Sequence, residues 1–272
     1  MIRVGRLFSY PVKSCAGIEL TTAQVTATGL AWDRRFMVVG GDGAFLSQRE
    51  HPRLALVRVR LVEGCLVLSA PRRPEIRVAL DRDASVTTRV RVWRDECDAL
   101  DEGRAPAEWF SEFLGVAARL VRLAGDDARP LGTPSAQPGD RVSFADAYPF
   151  LLLSEASLDG LNRRLALPVP IDRFRPNVVV VGCGPHAEDE WRQLRMGDVD
   201  FRVVKACARC VITTTDQETA ERGPEPLRTL ATYRLCEGKV EFGQNLIHGG
   251  MGTISVGDPV IVLGSRQISK WS

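Results

Sequence analysis

The segment Lys205-Ala206-Cys207-Ala208-Arg209-Cys210 sets two thiols three positions apart, with a guanidinium immediately before the second. The thiolate is the nucleophilic and metal-binding form of cysteine, and a neighbouring cation favours it over the neutral thiol. Three chemistries suit such a segment: half of a zinc site, a dithiol redox pair, or one functional thiolate beside a bystander. Zinc needs two more ligands, and the remaining cysteines with His51, His186 and His248 form no second tight pair. A redox pair sits where a strand enters a helix, whereas Val211-Ile212-Thr213-Thr214-Thr215 is a β-branched run that predicts a strand. Two buried cysteines near a surface arginine is the bland alternative, and spacing alone leaves it open.

The elements that must carry this segment are mostly strands. Runs with strand character span Ile2 to Phe8, Thr22 to Ala27, Phe36 to Val39, Leu54 to Leu61, Cys65 to Ser69 and Val86 to Val92. Gly40-Gly41-Asp42-Gly43 and Glu63-Gly64 lie between such runs and predict hairpin turns. Pro106 opens a helix in which Trp109, Phe110, Phe113 and Leu114 recur at helical spacing. The stretch from Gly125 to Asp140 is loop-like in composition. Phe150-Leu151-Leu152-Leu153 follows, and then a second helix capped by Ser154 with Leu158, Leu161 and Leu165 on one face.

From Asn177 onward strand signals return at Val178 to Val181, Phe201 to Val204, Val211 to Thr215 and Thr253 to Leu263. Met196-Gly197-Asp198-Val199 and Val256-Gly257-Asp258-Pro259 share a turn signature and predict two hairpins of one barrel. The fold class expected is mainly β (α+β): an N-terminal β domain over 1–100 and a β-barrel domain with a few short helices over 101–268.

Composition narrows the function classes. With 36 basic and 34 acidic residues the 272-residue chain has a net charge of +2, which speaks against a nucleic-acid binder and requires any anion site to be local. An apolar fraction of 44% supports a full core. No apolar run reaches the roughly 18 to 20 residues of a membrane span, and Met1 leads into no signal peptide. Seven cysteines, an odd number in a long chain, read as reduced thiols. The expectation is a cytoplasmic protein with no membrane anchor.

Cys207-x-Arg209-Cys210 followed by Thr213, Thr214 and Asp216 resembles the cofactor segment of MOSC proteins, above all the mitochondrial amidoxime-reducing component and its bacterial relatives. The resemblance extends through Tyr10-Pro11-Val12-Lys13-Ser14-Cys15, Asp33-Arg34-Arg35-Phe36, Leu153-Ser154-Glu155-Ala156-Ser157, Phe174-Arg175-Pro176-Asn177, Glu225-Pro226-Leu227 and Gly252-Thr253-Ile254-x-Val256-Gly257-Asp258-Pro259-Val260, in the family's order. It covers nearly all of residues 1–264.

What the resemblance implies is a molybdenum–molybdopterin cofactor whose dithiolene and one protein thiolate hold the metal. By position in the motif that thiolate is Cys210, and Cys207 has no role assigned. Lys13, Arg35, Arg175 and Arg209 are the motif cations, and guanidiniums can clamp a phosphate bidentately. The family's matching positions add Ser14, Tyr148, Asn177, Ala208 and Asn245. Three of these depart from the amidoxime reducers: Tyr148 stands where they carry a small hydroxyl residue, Ala208 replaces a serine and Asn245 a tyrosine. The anion site is expected between the two domains, since Lys13 and Arg35 lie in one and Arg175 and Arg209 in the other.

The activity implied is reduction of small N-hydroxylated substrates. The sequence carries no iron–sulfur cysteine set and no nicotinamide fingerprint after a strand, so electrons are expected from a separate donor, a haem or iron–sulfur carrier with its flavoprotein reductase. The runner-up is a cofactor carrier or sulfur-handling protein, by likeness to the MOSC domain of molybdenum-cofactor sulfurases.

Overall fold

The structure, a computed structural model, describes residues 1–81, 86–124 and 129–265. The start of the expected 125–140 loop, at 125–128, and the end of the expected barrel domain, at 266–268, lie outside the described residues.

Four consecutive apolar residues, Phe150 to Leu153, suit a strand buried on both faces, and Phe150–Ser154 is such a strand, with every residue buried. It forms the middle of a nine-stranded sheet. Along its main path the strands run Ile18–Leu20, Arg3–Ser9, Val178–Val181, Phe150–Ser154, Lys239–His248, Val199–Ala208, Trp191–Met196 and Val260–Ser265. The pair Phe150–Ser154 and Val178–Val181 is parallel, and a parallel pair needs a crossover. The helix Glu155–Asn162 lies in that crossover, with the Ser154 hydroxyl accepting from the Ser157 amide at its start, the cap read from sequence. The second strand of the path, Arg3–Ser9, meets the start of the last, Val260–Ser265, through Val4 N–H to the Asp258 carbonyl at 2.9 Å and Val260 N–H to the Ile2 carbonyl at 3.0 Å. Closing a sheet in this way protects its edges.

Phe150, Leu152, Val178, Val180, Phe201 and Leu246 fill one face of the sheet. Each such side chain contributes about 1.5 to 3 kcal/mol on burial. The opposite face is covered by Leu158 and Leu161 of the crossover helix, Phe174, Leu230 and Phe242. Among the described residues four smaller sheets accompany it, of which two carry the second core. One is Phe36–Val39, Arg119–Leu123, Asp95–Asp101 and Thr87–Val92, and the other is Arg58–Val62, Cys65–Ala70 and Arg73–Ala79. The helix Arg104–Leu114, begun two residues before Pro106, buries Trp109, Phe110 and Phe113 in a core shared with Leu54, Leu66 and Leu68. Residue 100 lies within the strand Asp95–Asp101, and the helix and strand that follow it join the strands that precede it. Among the described residues no helix is long and apolar enough to cross a membrane.

Three local expectations are corrected. The run from Leu54 to Leu61 begins as a 3-10 helix, Pro52–Leu56, because Pro52 supplies a helical φ at its start; the strand starts only at Arg58. The segment Val211–Thr214 is also a 3-10 turn, with Cys210 as its N-cap. There the Thr213 hydroxyl donates back to the Cys210 carbonyl at 3.0 Å and the Thr214 hydroxyl to Val211 at 2.8 Å, local bonds that override the β-branched preference for strand. Val256 to Pro259 does not close a hairpin: Gly252–Ser255 pairs with Thr22–Thr26, while Val260–Ser265 pairs with Trp191–Met196. Met196 to Val199 does close one, as expected.

His186 carries a test of the packing beside this sheet. Its ring stands 6.0 Å from those of Tyr233 and Phe242. Burial, reinforced by Arg234 and Arg164, lowers it from 6.5 to about 4. Below pH 6.5 the unfolded chain takes up a proton that the folded chain refuses, so this contribution to stability is lost as pH falls from 6.5 toward 4. Urea unfolding of wild type and His186→Gln across that range is expected to show a steeper fall for wild type; parallel curves would contradict it.

Candidate functional site

The strand Val199–Ala208 pairs with Lys239–His248 with register shifts between Val203 and Lys205 and between Ala206 and Ala208. Bulges of this kind bend a strand and re-aim its side chains. The chain leaves the second shift at Cys207 to Cys210, at the wall of a cleft of about 510 Å³. That volume suits a small-molecule or cofactor site.

The cleft collects residues distant in sequence, among them Lys13 and Ser14, Arg34, Phe45, Gln48 and Arg49, Trp93, Ala145 to Tyr148, Arg173 to Arg175, Asn177, Lys205 to Cys210, and Asn245. Of the residues expected from sequence, Lys13, Ser14, Tyr148, Arg175, Asn177, Ala208, Arg209, Cys210 and Asn245 line it. Arg35 does not line it. Its place is taken by Arg34, which has a left-handed backbone with φ of 48° in the turn before Phe36–Val39. Arg34 lies within this turn and Arg35 at its exit, where the backbone of Arg35 is bonded to Trp32 and Leu123.

Arg34 and Arg175 both lie over the Tyr10 ring, at 4.4 and 4.2 Å from its centroid. Arg175 donates to the Cys15 carbonyl at 2.7 Å, and its own backbone has a φ of 54°. Burial draws its guanidinium below the ordinary range. Asn177 sits behind them, 1% exposed, with both heteroatoms of its amide hydrogen-bonded. Its Oδ1 accepts from Arg34 at 3.1 Å and from the Leu151 amide at 3.2 Å, and its Nδ2 donates to the Phe8 carbonyl at 3.2 Å. Asn177 therefore positions the cleft floor and spends its polar atoms within the protein.

Arg209 is held by its Nε on the Phe242 carbonyl at 2.7 Å and its Nη1 on the Phe174 carbonyl at 3.0 Å. Its Nη2 is buried with no hydrogen-bond partner. Room for it depends on Gly243, whose φ is 79° and where a Cβ would come within 2.8 Å of the Leu152 carbonyl and 3.2 Å of that Nη2. A buried donor left unpaired costs about 1 to 3 kcal/mol, and an anion in the cleft is what such a donor suits.

Lys13 is 5% exposed. It donates to the Phe144 carbonyl at 2.7 Å and pairs with Asp146, with Phe45 at 4.7 Å beneath its ammonium. Burial lowers Lys13 against the opposing pull of Asp146. At Asp146 burial works upward, but Lys13, Arg49 and the Trp93 indole N–H together hold the carboxyl well below the usual carboxylate range. It is the one carboxylate on the cleft wall among the described residues.

The two motif thiols differ in surroundings. Burial pushes the Cys207 thiol up, against the pull of Arg209. Cys210 receives Arg49 Nη2 at 3.4 Å from its sulfur. Among the described residues no set of three or more His, Cys, Asp or Glu stands together as a metal site, so a metal on Cys210 would need ligands brought by a cofactor. Arg34, Arg49, Trp93, Asp146 and Arg173 were not read from the sequence as site residues. Arg34 was within reach, being one position from Arg35 in the quoted motif; no local signal distinguishes Arg49, Trp93 or Asp146.

Residues 1–117 match the family described as "MOSC N-terminal beta barrel domain" and residues 139–261 the one described as "MOSC domain". Mitochondrial amidoxime-reducing component 1 of Mus musculus is 39% identical over 280 residues, covering 96% of this chain and 82% of the relative. The Homo sapiens component 1 is 38% identical over 96% of this chain and 83% of its own length. Component 2 of Bos taurus is 36% identical over 94% and 82%.

Proposed function

Because the chain belongs to the MOSC family, alongside the mitochondrial amidoxime-reducing components, we propose that it is a molybdenum-cofactor reductase of N-hydroxylated compounds, supplied with electrons by a separate protein. The observation that carries this reading is the convergence in one cleft of the Cys210 sulfur, the unpaired Nη2 of Arg209, and Lys13 and Arg175 from segments far apart in sequence. The donor set fits the group. A thiolate is a soft ligand of the kind such a metal takes, and a guanidinium with a free buried N–H suits phosphate or a pterin oxygen.

Bound there, the cofactor would supply the two electrons that, with two protons, cleave an N–O bond and release water. The residues of the chain bind and orient. Cys210 is the protein's ligand; Arg209, Arg175, Lys13 and Ser14 hold the cofactor's polar edge; and Asn177, through Arg34, keeps that wall in place. Asp146 stays ionised at neutral pH, so its Oδ1 accepts from Lys13 and Trp93 rather than donating a proton. Tyr148, Ala208 and Asn245 line the same cleft, and we assign them to substrate shape. Within these 272 residues no motif offers a second redox centre, which supports a haem or iron–sulfur carrier and a flavoprotein reductase as the electron source.

Protein purified from a host that makes the cofactor is expected to contain molybdenum and to reduce a model amidoxime with reduced viologen dye or a reconstituted carrier, but not with NADH or NADPH alone. Turnover with NADH alone would contradict the separate donor. Molybdenum without dye-driven turnover would favour the carrier or sulfur-handling alternative.

A further inference from the structure

We infer that Arg49 is a positioning residue for the Cys210 sulfur, holding it by an N–H···S hydrogen bond from the other half of the chain and tuning the potential of a metal bound there. This rests on Cys210 being the metal ligand. Arg49 Nη2 stands 3.4 Å from Cys210 Sγ and 3.7 Å from Asp146 Oδ2, and its guanidinium lies 4.6 Å from the Trp93 ring centroid. The Trp93 indole N–H in turn donates to Asp146 Oδ1 at 3.2 Å, and its ring meets Phe45 edge-on at 5.0 Å. The guanidinium is thus fixed by a carboxylate and by an aromatic face before it reaches the sulfur.

The backbone beneath it is fixed as well. Gln48 is fully buried. Its Nε2 donates to the Ser14 carbonyl at 2.6 Å and to Gln217 Oε1 at 3.2 Å, while its own carbonyl accepts from Arg222. The Arg49 amide is bound by the Ser47 hydroxyl at 3.1 Å. These bonds tie the segment before Arg49 to the chain after Cys210, so donor and sulfur are held in one frame. Trp93 occupies a left-handed backbone, φ 58°, and is 48% exposed. A bulky residue in that region costs conformational energy, and here its contacts with Arg49 and Asp146 accompany the strain.

A donor to a ligating sulfur withdraws electron density and stabilises the reduced metal, so its loss lowers the reduction potential. The test compares purified molybdenum-loaded wild type, Arg49→Gln, Arg49→Lys and Trp93→Leu. Metal content is measured first, followed by potentiometric titration of the thiolate-to-metal charge-transfer absorption. The expected order of potentials at equal metal content is wild type highest, Arg49→Lys and Trp93→Leu intermediate, and Arg49→Gln lowest, with the absorption band shifted in the same order. A loss of packing alone would change metal content without that ordering. If Arg49→Gln does not retain metal, the other three proteins decide the same comparison. A common potential and band in loaded proteins would overturn the role of Arg49. Absence of molybdenum from the wild type would instead overturn the cofactor reading, and this proposal with it.

Discussion

Cys210→Ser is expected to lose turnover by more than about a hundredfold while Cys207→Ser loses less than about tenfold, because outer partners of a metal site typically contribute 10- to 100-fold and a direct ligand contributes more. The two thiols are three positions apart, yet their surroundings differ in kind. Arg49 approaches the Cys210 sulfur at 3.4 Å, whereas the Cys207 sulfur lies 3.9 Å from the Ala208 carbonyl, and burial raises its thiol against the opposing pull of Arg209 and the Asn245 side chain. At the proposed metal site a serine hydroxyl at 210 would offer a hard neutral group in place of a soft sulfur ligand. Molybdenum content and dye-driven amidoxime reduction should be measured on both variants, with urea unfolding as the control for folding. An inactive Cys207→Ser beside a normal Cys210→Ser would reverse the assignment.

Asn177→Ala is expected to destabilise the protein by about 3 kcal/mol, the order of leaving two buried backbone groups unpaired at about 1 to 3 kcal/mol each. Those groups are the Leu151 amide and the Phe8 carbonyl, on the strands that flank Val178–Val181. The same change frees Arg34 from its contact at 3.1 Å, so cofactor occupancy after gel filtration should fall as well. Urea denaturation midpoints at constant slope give the stability change. A loss under about 0.5 kcal/mol, the range of ordinary surface substitutions, would show that these strands do not depend on the Asn177 amide.

Much of this molecule was legible along the chain because its signals are local. The apolar run Phe150 to Leu153, the Ser154 cap, the Glu63-Gly64 turn and the Met196 to Val199 hairpin each depend on residues within a few positions. The motif residues were legible too, through the family resemblance, and nine of the ten named as site residues line one cleft.

What the chain could not show is where strands go after they form. Val256 to Pro259 has a hairpin's composition, but Gly257 N–H bonds Val4 and the flanking strands pair elsewhere, since pairing is decided by which edges remain open and not by the turn. Val211 to Thr215 has a strand's composition, yet hydroxyl bonds to Cys210 and Val211 wind it into a turn. Arg34 and Arg35 are indistinguishable as residue types, and only the left-handed turn chooses between them. Arg49 lies 161 positions from Cys210. A hydrogen bond acts over a few ångströms and depends on orientation, so sequence alone determined the residue types that could make these contacts, while the closure of the sheet and the burial around it decided which of them meet.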